Sequence, residues 1–409
     1  MQEKSRHFAL ARRKGIFLPA APLFIRFLLY CGGLLPLVSA CDNPPKHTAS
    51  STTDSRQDLF PEKTKIKYAK GFSVEYRGNY KVVNILNHFE DQVDTLRYLL
   101  VPKGITPPPQ YADAQVIQIP VRQMVGLSSM HVALADFMDA PGVLVGLGNL
   151  KYVSSERVRK RIAAGQVKEV GNGGDLNEEL LITLQPDLVM ATGSPDAKFS
   201  RYNTLIGAGI PVLLNSEWLE TTPLGRAEWV KLMAVLLNKE ALVNQKFGDL
   251  EKEYHRLAAL TQKAQFKPSI ITGMPFKGTW SVPDGDSYMA RFLKDAAATY
   301  HWANVQGKGS LHLDFERVAP VALQADFWLN VGYVDSKEDI LGKDVRFKDF
   351  RPFKQESIYN NNKRVNDIGS NDYWESGAVN PHLILADLIK ILHPELLPRH
   401  ELVYYKQLR

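Results

Sequence analysis

The sequence predicts an α/β protein with two Rossmann-like lobes joined by a single long backbone helix, and an N-terminal β extension before the first lobe. Short apolar runs alternate with helical segments on both sides of residue 225, residues 225–265 have a continuous helical pattern, and one short sequence pattern occurs once in each half. Strands that alternate with helices favour a parallel sheet covered by helices on both faces.

Residues 1–40 are predicted to be a lipoprotein signal peptide. A basic start is followed by an uncharged stretch of 14 residues from Phe27 to Ala40, which is shorter than the roughly 20 residues of a membrane span and typical of a secretory signal. The stretch ends in Leu-Val-Ser-Ala-Cys, a string that resembles a bacterial lipobox, so Cys41 is the predicted lipidation site. The alternative is a simple secretory signal followed by a chance cysteine. The polar residues 41–65 are predicted to be a flexible tether.

Charge and cysteine content exclude several classes of function. The chain has 50 Lys and Arg against 44 Asp and Glu, but the signal peptide holds six of the basic residues and one acid. The remaining 44 basic and 43 acidic residues give a net charge of +1, which does not indicate a nucleic-acid partner. The two cysteines are Cys31 in the signal and Cys41, so no thiol is left for a disulfide, a metal or catalysis.

Residues 66–224 are predicted to form the N-terminal lobe with its β extension. The extension has two strand-like runs, 82–86 and 96–101, and ends at three consecutive prolines. A helix is predicted over 128–138. The lobe's strands are predicted at 116–119, 143–145, 168–170, 187–191 and 211–215.

Residues 225–265 are predicted to be the connecting helix. Apolar residues recur at intervals of three and four, and no proline interrupts them. The pattern fits one very long helix, or two helices with a joint near Asn238 and Lys239. The spacing is too irregular for a sustained coiled coil.

Residues 266–409 are predicted to be the C-terminal lobe. Its clearer strands are 269–272, 326–331 and 358–359, and its clearer helices are 287–298, 315–322 and 380–392. The string Leu-Gln-Pro-Asp-Leu-Val-Met-Ala at 184–191 returns as Leu-Gln-Ala-Asp-Phe-Trp-Leu-Asn at 323–330. This repetition indicates two similar halves.

Residues 116–397 resemble the periplasmic binding proteins for iron–siderophore complexes, haem and cobalamin. The resemblance rests on the Leu-Gln-Pro-Asp-Leu string, Gly-Ile-Pro-Val-Leu at 209–213, the long helix and the final helix at 380–392. It implies a monomeric solute-binding component of an ABC importer, which is not an enzyme, needs no cofactor, and is held at the membrane outside the cytoplasm through Cys41. Its ligand would lie in the cleft between the lobes, and its protein partners would be the ABC permease and ATPase subunits.

The resemblance also implies one glutamate on each lobe that docks onto the permease. By position these are Glu179 and Glu316. Glu178 is a competing residue in the first lobe, and the second lobe has two extra residues between its glutamate and the repeated string. An ordinary solvated role is the alternative for each glutamate.

Ligand-binding residues are predicted from the rule that ligands bind outside the carboxyl ends of strands in open α/β sheets. Tyr373 and Trp374 lie in a polar loop, where aromatic side chains make good ligand walls. The alternative is that they fix that loop to its own lobe. The alternative to ligand contact for Trp218 and Trp280 is packing at the edges of their lobes. Arg226 is expected to meet an anionic group of the ligand or to bind Glu217 or Glu228. The predicted set is Ser129, Asn149, Tyr152, Asn172, Trp218, Arg226, Trp280, Tyr288, Tyr373 and Trp374, with Ser128 and Phe276 nearby.

Three other functions were weighed against ligand capture. A bare metal ion would need closely spaced histidines, which the sequence lacks, and His131 on the 128–138 helix is the one residue kept open for that role. A metal–tetrapyrrole chelatase on the same fold would need His and carboxylates that converge on one cleft. A surface lipoprotein that has lost transport is the third. No Walker string or Gly-x-Ser-x-Gly elbow is present.

Overall fold

The computed structural model describes residues 58–86, 95–195, 198–307 and 309–409. The predicted signal peptide, Cys41 and the first part of the predicted tether lie outside these residues. The described residues belong to one compact unit that runs to Arg409. None of the described helices is long and apolar enough to cross a membrane.

The N-terminal extension is a four-stranded sheet, and both strands predicted for it are confirmed. The strands are β1 (Phe72–Tyr76), β2 (Lys81–Leu86), β3 (Thr95–Pro102) and β4 (Gln115–Ile119), and they lie in that order. The prediction that 116–119 opens the lobe sheet is wrong, because β4 pairs in parallel with β3. The Gln115 side chain of β4 contacts the lobe sheet, where its amide bonds both the N–H and the carbonyl of Val212 at 2.9 and 3.1 Å.

The first lobe is built on a five-stranded parallel sheet. Its strands are β5 (Met124–Gly126), β6 (Leu144–Leu147), β7 (Lys168–Glu169), β8 (Leu188–Thr192) and β9 (Val212–Asn215), and its helices are α1 (Ser129–Phe137), α2 (Glu156–Ala163), α3 (Glu178–Leu184) and α4 (Asn203–Gly207). The spatial order is β7-β6-β5-β8-β9, so the strand order reverses between β5 and β8, as at the switch point of a Rossmann-like fold.

The connecting segment consists of three helices, α5 (Pro223–Ala227), α6 (Val230–Leu237) and α7 (Glu240–Leu260). The prediction of one unbroken helix over 225–265 is therefore wrong, and the alternative joint near Asn238 is where the chain breaks. Asn238 has a φ of +53°, a left-handed conformation that asparagine tolerates better than most residues and that ends a helix. The link into the second lobe is α7, whose 21 residues span roughly 32 Å.

The second lobe contains a mixed five-stranded sheet and a separate antiparallel pair. Its strands are β10 (Ser269–Thr272), β11 (Trp280–Pro283), β12 (Thr299–Tyr300), β13 (Ser310–Leu313), β14 (Phe327–Leu329), β15 (Ile358–Asn360) and β16 (Lys406–Gln407). The large sheet has the order β12-β10-β14-β15-β16, and β11 pairs with β13. Only β16 runs antiparallel to its neighbour in the large sheet. The helices are α8 (Tyr288–Asp295), α9 (Phe315–Ala322), α10 (Lys337–Lys343), α11 (Arg351–Lys354), α12 (Ser376–Val379) and α13 (Pro381–Leu392).

The repeated string does the same structural task in both lobes. The Asp187 carboxylate, just before β8, accepts the N–H groups of Arg122 and Gln123 at 2.8 and 2.9 Å, and these residues lead into β5. The Asp326 carboxylate, just before β14, accepts the N–H of Ser269 at 2.8 Å, where β10 begins. In each lobe an aspartate thus binds the start of the neighbouring strand in the sheet.

Candidate functional site

Exposed aromatic side chains follow the carboxyl ends of five strands. Tyr152 follows β6, Trp218 follows β9, Phe276 follows β10, Tyr333 follows β14 and Trp374 follows β15, and each is at least 40% exposed. Large aromatic side chains are usually buried, and exposed ones near the ends of parallel strands indicate a binding surface. Both lobes therefore present aromatic side chains at the strand ends where ligands bind in this class of sheet.

Two of these aromatics, Trp218 and Trp374, line one cavity of about 600 Å³. The loop after β9 and the start of α5 supply one wall, and β11, the start of α8 and the loop before α12 supply the others. Such a volume suits a ligand of drug size or larger. All six tryptophans of the chain lie in the described part, and Trp218 and Trp374 are the two that are exposed.

Arg226 provides a positive charge in the same cavity. Its guanidinium group stacks 3.9 Å from the centre of the Tyr288 ring and donates to the backbone oxygen of Trp218 at 2.8 Å. Its Nε is buried and has no hydrogen-bond partner among the described residues. Stacking and the backbone bond hold the guanidinium group at the cavity wall, where its positive charge favours an anionic group of the ligand.

Glu217 lies beneath this arginine and is almost completely buried. Burial raises the pKa of Glu217 to about 7, and the nearby charge of Arg226 opposes that rise. The sequence alternative of an Arg226–Glu217 or Arg226–Glu228 ion pair is not what the structure has, since the Glu228 carboxylate binds other groups.

Two predicted ligand residues are buried instead. Trp280 is completely buried, donates its indole N–H to the Thr272 oxygen at 3.0 Å and packs against Trp328 and Phe350. Tyr373 is 2% exposed and lies edge-on to Trp374, Tyr404 and Tyr405. Both side chains stabilise the second lobe, and Trp374 alone of the 373–374 pair faces the cavity.

Two of the predicted polar residues, Asn149 and Asn172, lie in the first lobe's loops and bind backbone groups of that lobe. The Asn149 side chain accepts the N–H of Lys151 at 2.8 Å. The Asn172 side chain accepts the N–H of Gly173 at 2.8 Å and donates to the Leu127 oxygen at 3.1 Å. Ser129 begins α1, while the neighbouring Ser128 caps that helix by accepting the N–H of Met130. Their contact with a ligand stays a prediction.

Tyr333 is an aromatic residue of this surface that the sequence reasoning missed. It is the most exposed large side chain of the described residues and follows β14 directly after Gly332, which has a φ of +88°. The signal was present, because an aromatic residue beside a glycine after a buried strand is a poor core residue. Asp284 at the cavity edge is different, since it is 1% exposed and holds a turn by accepting the N–H groups of Asp286 and Gly309.

His131, the residue kept open for a bare metal ion, is completely buried on α1. Neither ring nitrogen has a hydrogen-bond partner among the described residues, and burial lowers the pKa of His131 to about 3. Within the described ranges no group of three or more His, Cys, Asp or Glu side chains is arranged to hold a metal ion. His131 does not line the aromatic cavity.

The two predicted docking glutamates lie on the surface of different lobes. Glu179 is exposed in the first turn of α3. Glu316 is in the first turn of α9, its side chain is 75% exposed, and its carboxylate is 4.0 Å from the Arg346 guanidinium. Neither residue is engaged in a buried contact, so both carboxylates face solvent.

The chain matches one protein family and is similar to an archaeal lipoprotein over most of its length. The model of the periplasmic binding protein family matches residues 139–349, about half of the chain. An uncharacterized lipoprotein of Methanocaldococcus jannaschii is 26% identical over 358 residues, which are 81% of this chain and 82% of that protein.

Two solved structures resemble the fold. A possible iron-binding periplasmic solute-binding protein from Staphylococcus epidermidis has a TM-score of 0.52 at 14% identity, and the match covers 67% of this chain and 99% of that one. Helicobacter pylori CeuE with Ni(II) bound has a TM-score of 0.52 at 18% identity, with 70% and 88% covered.

Proposed function

Because the chain belongs to the periplasmic binding protein family and is a substrate-binding protein of the ABC-transporter type rather than an enzyme, we propose that it captures an iron complex or cobalamin and delivers it to the permease. The iron complex would be a ferric siderophore or haem. The single observation that carries this proposal is the set of exposed aromatic side chains at the strand ends of both lobes, with Arg226 in the cavity between Trp218 and Trp374.

The chemistry of the cavity favours a large, partly flat and negatively charged ligand. Indole rings offer apolar faces to a macrocycle or a catechol ring, and the guanidinium group of Arg226, which lines the cavity, favours a carboxylate or phenolate oxygen. The similar Staphylococcus epidermidis and Helicobacter pylori proteins are described as possibly iron-binding and as holding nickel, which supports a metal-containing ligand. Reversible capture needs only such contacts and no covalent step.

Titration of tryptophan fluorescence is the experiment that tests this function. We expect one compound among ferric siderophores, haemin and cobalamin to quench the tryptophan fluorescence of a protein comprising residues 58–409. The quenching should saturate at micromolar or lower concentration. Trp218 and Trp374 line the cavity, so replacing both by Phe should weaken binding and shift the quenching curve to higher ligand concentration. A response only to bare ferric or zinc ions would mean that the ligand is a metal ion and not a chelate. Silence across the panel would contradict the proposed ligand class.

The membrane anchor and the permease contact belong to the same proposal. Cys41 is proposed to carry the lipid, which is supported by the lipobox-like string and by the lipoprotein name of the similar archaeal protein. Glu179 and Glu316 are proposed to bind arginine pockets of the permease. Two exposed carboxylates on separate lobes fix the orientation of the complex and accelerate encounter.

Charge reversal tests the docking residues. We expect the double variant Glu179→Lys/Glu316→Lys to reduce uptake at least tenfold in cells that express the cognate permease, because like charges are then opposed at both contacts. Ligand affinity in solution should not change, since neither residue lines the aromatic cavity. The matched control is Glu338→Lys/Glu401→Lys, which reverses two other exposed glutamates. Uptake that is equal in both double variants would rule out these docking sites.

A further inference from the structure

The two lobes are joined by a second contact in addition to the connecting helices. The loop after β6 contacts the loop before α12, and Glu375 forms the centre of this contact. Its carboxylate accepts the backbone N–H groups of Ser154 and Ser155 at 2.9 and 2.7 Å. Asn366 and Ser370 add bonds from the same second-lobe loop to backbone oxygens of residues 151–153. We name Ser154, Ser155 and Glu375 the interlobe latch.

The latch contains a carboxyl group that is buried, which is unusual for a glutamate side chain. Glu375 is 2% exposed, and burying a carboxylate is costly unless its charge is compensated. Ser155 caps α2, so the carboxyl group lies at the amino end of an eight-residue helix of the other lobe, where negative charge is favoured. Burial is the largest influence and raises the pKa of Glu375 to about 8, with Asp372 and Asp136 adding to the rise and the two N–H groups opposing it.

Charged groups face the latch from every element that packs against it. A polar cavity of about 690 Å³ adjoins Glu375, and α1, α2 and α7 contribute Asp136, Glu156, Arg157, Lys246, Asp249 and Glu253 to its lining. The second lobe contributes Arg364, Asp372 and His382. Asp372 is paired with Arg364 at 3.0 Å, and Asp136 with Arg157 at 3.3 Å. No cation is bonded to the Glu375 carboxyl group itself among the described residues.

The latch is also next to the ligand cavity in the sequence. Trp374 and Glu375 are neighbours, but Trp374 is 56% exposed in the aromatic cavity while Glu375 is buried between the lobes. A displacement of the 371–375 segment would therefore move a cavity wall and the latch together. The cavity wall and the latch thus depend on two adjacent residues of one segment.

We propose that Glu375 is a positioning residue that holds the two lobes closed, and that opening of the lobes releases a proton from its carboxyl group. When the lobes separate, Glu375 becomes exposed, loses both N–H donors and ionises like an ordinary glutamate. The latch is defined by contacts within the protein, so this proposal does not depend on the identity of the ligand.

The direction of the pH effect follows from linkage. The pKa of Glu375 is about 8 when the lobes are closed and returns towards the ordinary glutamate value when they open. A group whose pKa is raised in the closed form stabilises that form, and this stabilisation is complete at a pH below the group's pKa in the open form. It is lost as the pH rises to the group's pKa in the closed form. Closure should therefore weaken by up to about tenfold per pH unit from about pH 5.5 to pH 8, and then level off.

Hydrogen exchange of the full chain without ligand tests the proposal. The measured quantity is the protection factor of the Ser154 and Ser155 amides from pH 5.5 to 9, corrected for chemical exchange and resolved by fragmentation mass spectrometry. We expect protection in the wild type to fall by up to about tenfold per pH unit below pH 8. Glu375→Gln cannot ionise and should show no such slope, while Glu338→Gln, an exposed residue of the same lobe, should behave as wild type.

Two results would overturn the proposal. One is an equal slope in Glu375→Gln and wild type, which would assign the titration to another group. The other is constant protection in the wild type. If Glu375→Gln does not fold, the wild type still decides, because β5 amides report global unfolding in the same sample. A slope at Ser154 and Ser155 that exceeds the slope at β5 supports the latch, and equal slopes refute it.

Discussion

Replacing Glu228 by Ala is expected to lower the free energy of unfolding by about 3–5 kcal/mol, the usual result of removing one partner of a buried ion pair. Glu228 is fully buried. Its carboxylate accepts the N–H groups of Lys67, Tyr68 and Ala69 at 2.5–3.0 Å and pairs with the Lys231 ammonium group at 2.6 Å. The alanine variant removes the ion-pair partner of a buried cation and leaves three backbone donors unsatisfied.

Urea unfolding followed by circular dichroism measures this change. Glu228→Gln should also be destabilised, because the amide retains one acceptor oxygen but removes the charge that compensates Lys231. Glu401→Ala is the matched control, since Glu401 is exposed and its loss should change the free energy of unfolding by less than about 0.5 kcal/mol. A loss below about 1 kcal/mol in Glu228→Ala would show that residues 67–69 are not held by this carboxylate.

The expected loss reflects how the N-terminal extension is attached. Glu220 accepts the N–H groups of Lys70 and Gly71 and the indole N–H of Trp229, and Glu240 binds the completely buried ammonium group of Lys81. Three carboxylates, two in the connecting segment and Glu220 just before it, thus bind the extension. The extension lies before the family match at 139–349, yet its backbone satisfies buried charges inside that region, so we regard it as part of the folded core.

The repeated string and the helix punctuation explain why the fold class was predictable. Asp187 and Asp326 each bind the backbone at the start of a neighbouring strand, so one structural task carried out in both lobes appears as one short string repeated in the sequence. The joint at Asn238 is visible because asparagine is a common residue at helix ends. By contrast, β5 has three residues, too few to show a period, and the more apolar run at 116–119 predicts the lobe's first strand although it pairs with the extension.

The candidate site was only partly predictable, because exposure is set by tertiary packing. Tyr373 and Trp374 are adjacent and equally aromatic, but one is buried against Tyr404 and Tyr405 from the C-terminal segment and the other faces the cavity. No local pattern distinguishes them. Glu375 looked like one more polar loop residue, and its role depends on Ser154 and Ser155, about 220 residues earlier in the chain.

Replacing Trp374 by Ala is expected to weaken ligand binding about 30-fold or more, which is the effect of removing a well-packed aromatic contact worth at least about 2 kcal/mol. Trp374 exposes more than half of its surface in the free protein, and a ligand that fills the cavity would cover this apolar area. Trp218→Ala should have a similar effect, because its indole ring lines the same cavity. Isothermal titration with the compound found by fluorescence measures both affinities.

Phe266→Ala is the matched control for this prediction. Phe266 is 65% exposed, but it precedes β10 and so lies at the amino end of that strand, away from the binding edge of the sheet. Its removal should leave affinity unchanged, and unfolding measurements should show that all three variants are folded. Equal affinity of Trp374→Ala and Phe266→Ala would mean that the ligand binds outside this cavity. A selective loss at Trp374 and Trp218 would place the ligand between the lobes, beside Arg226 and next to the latch.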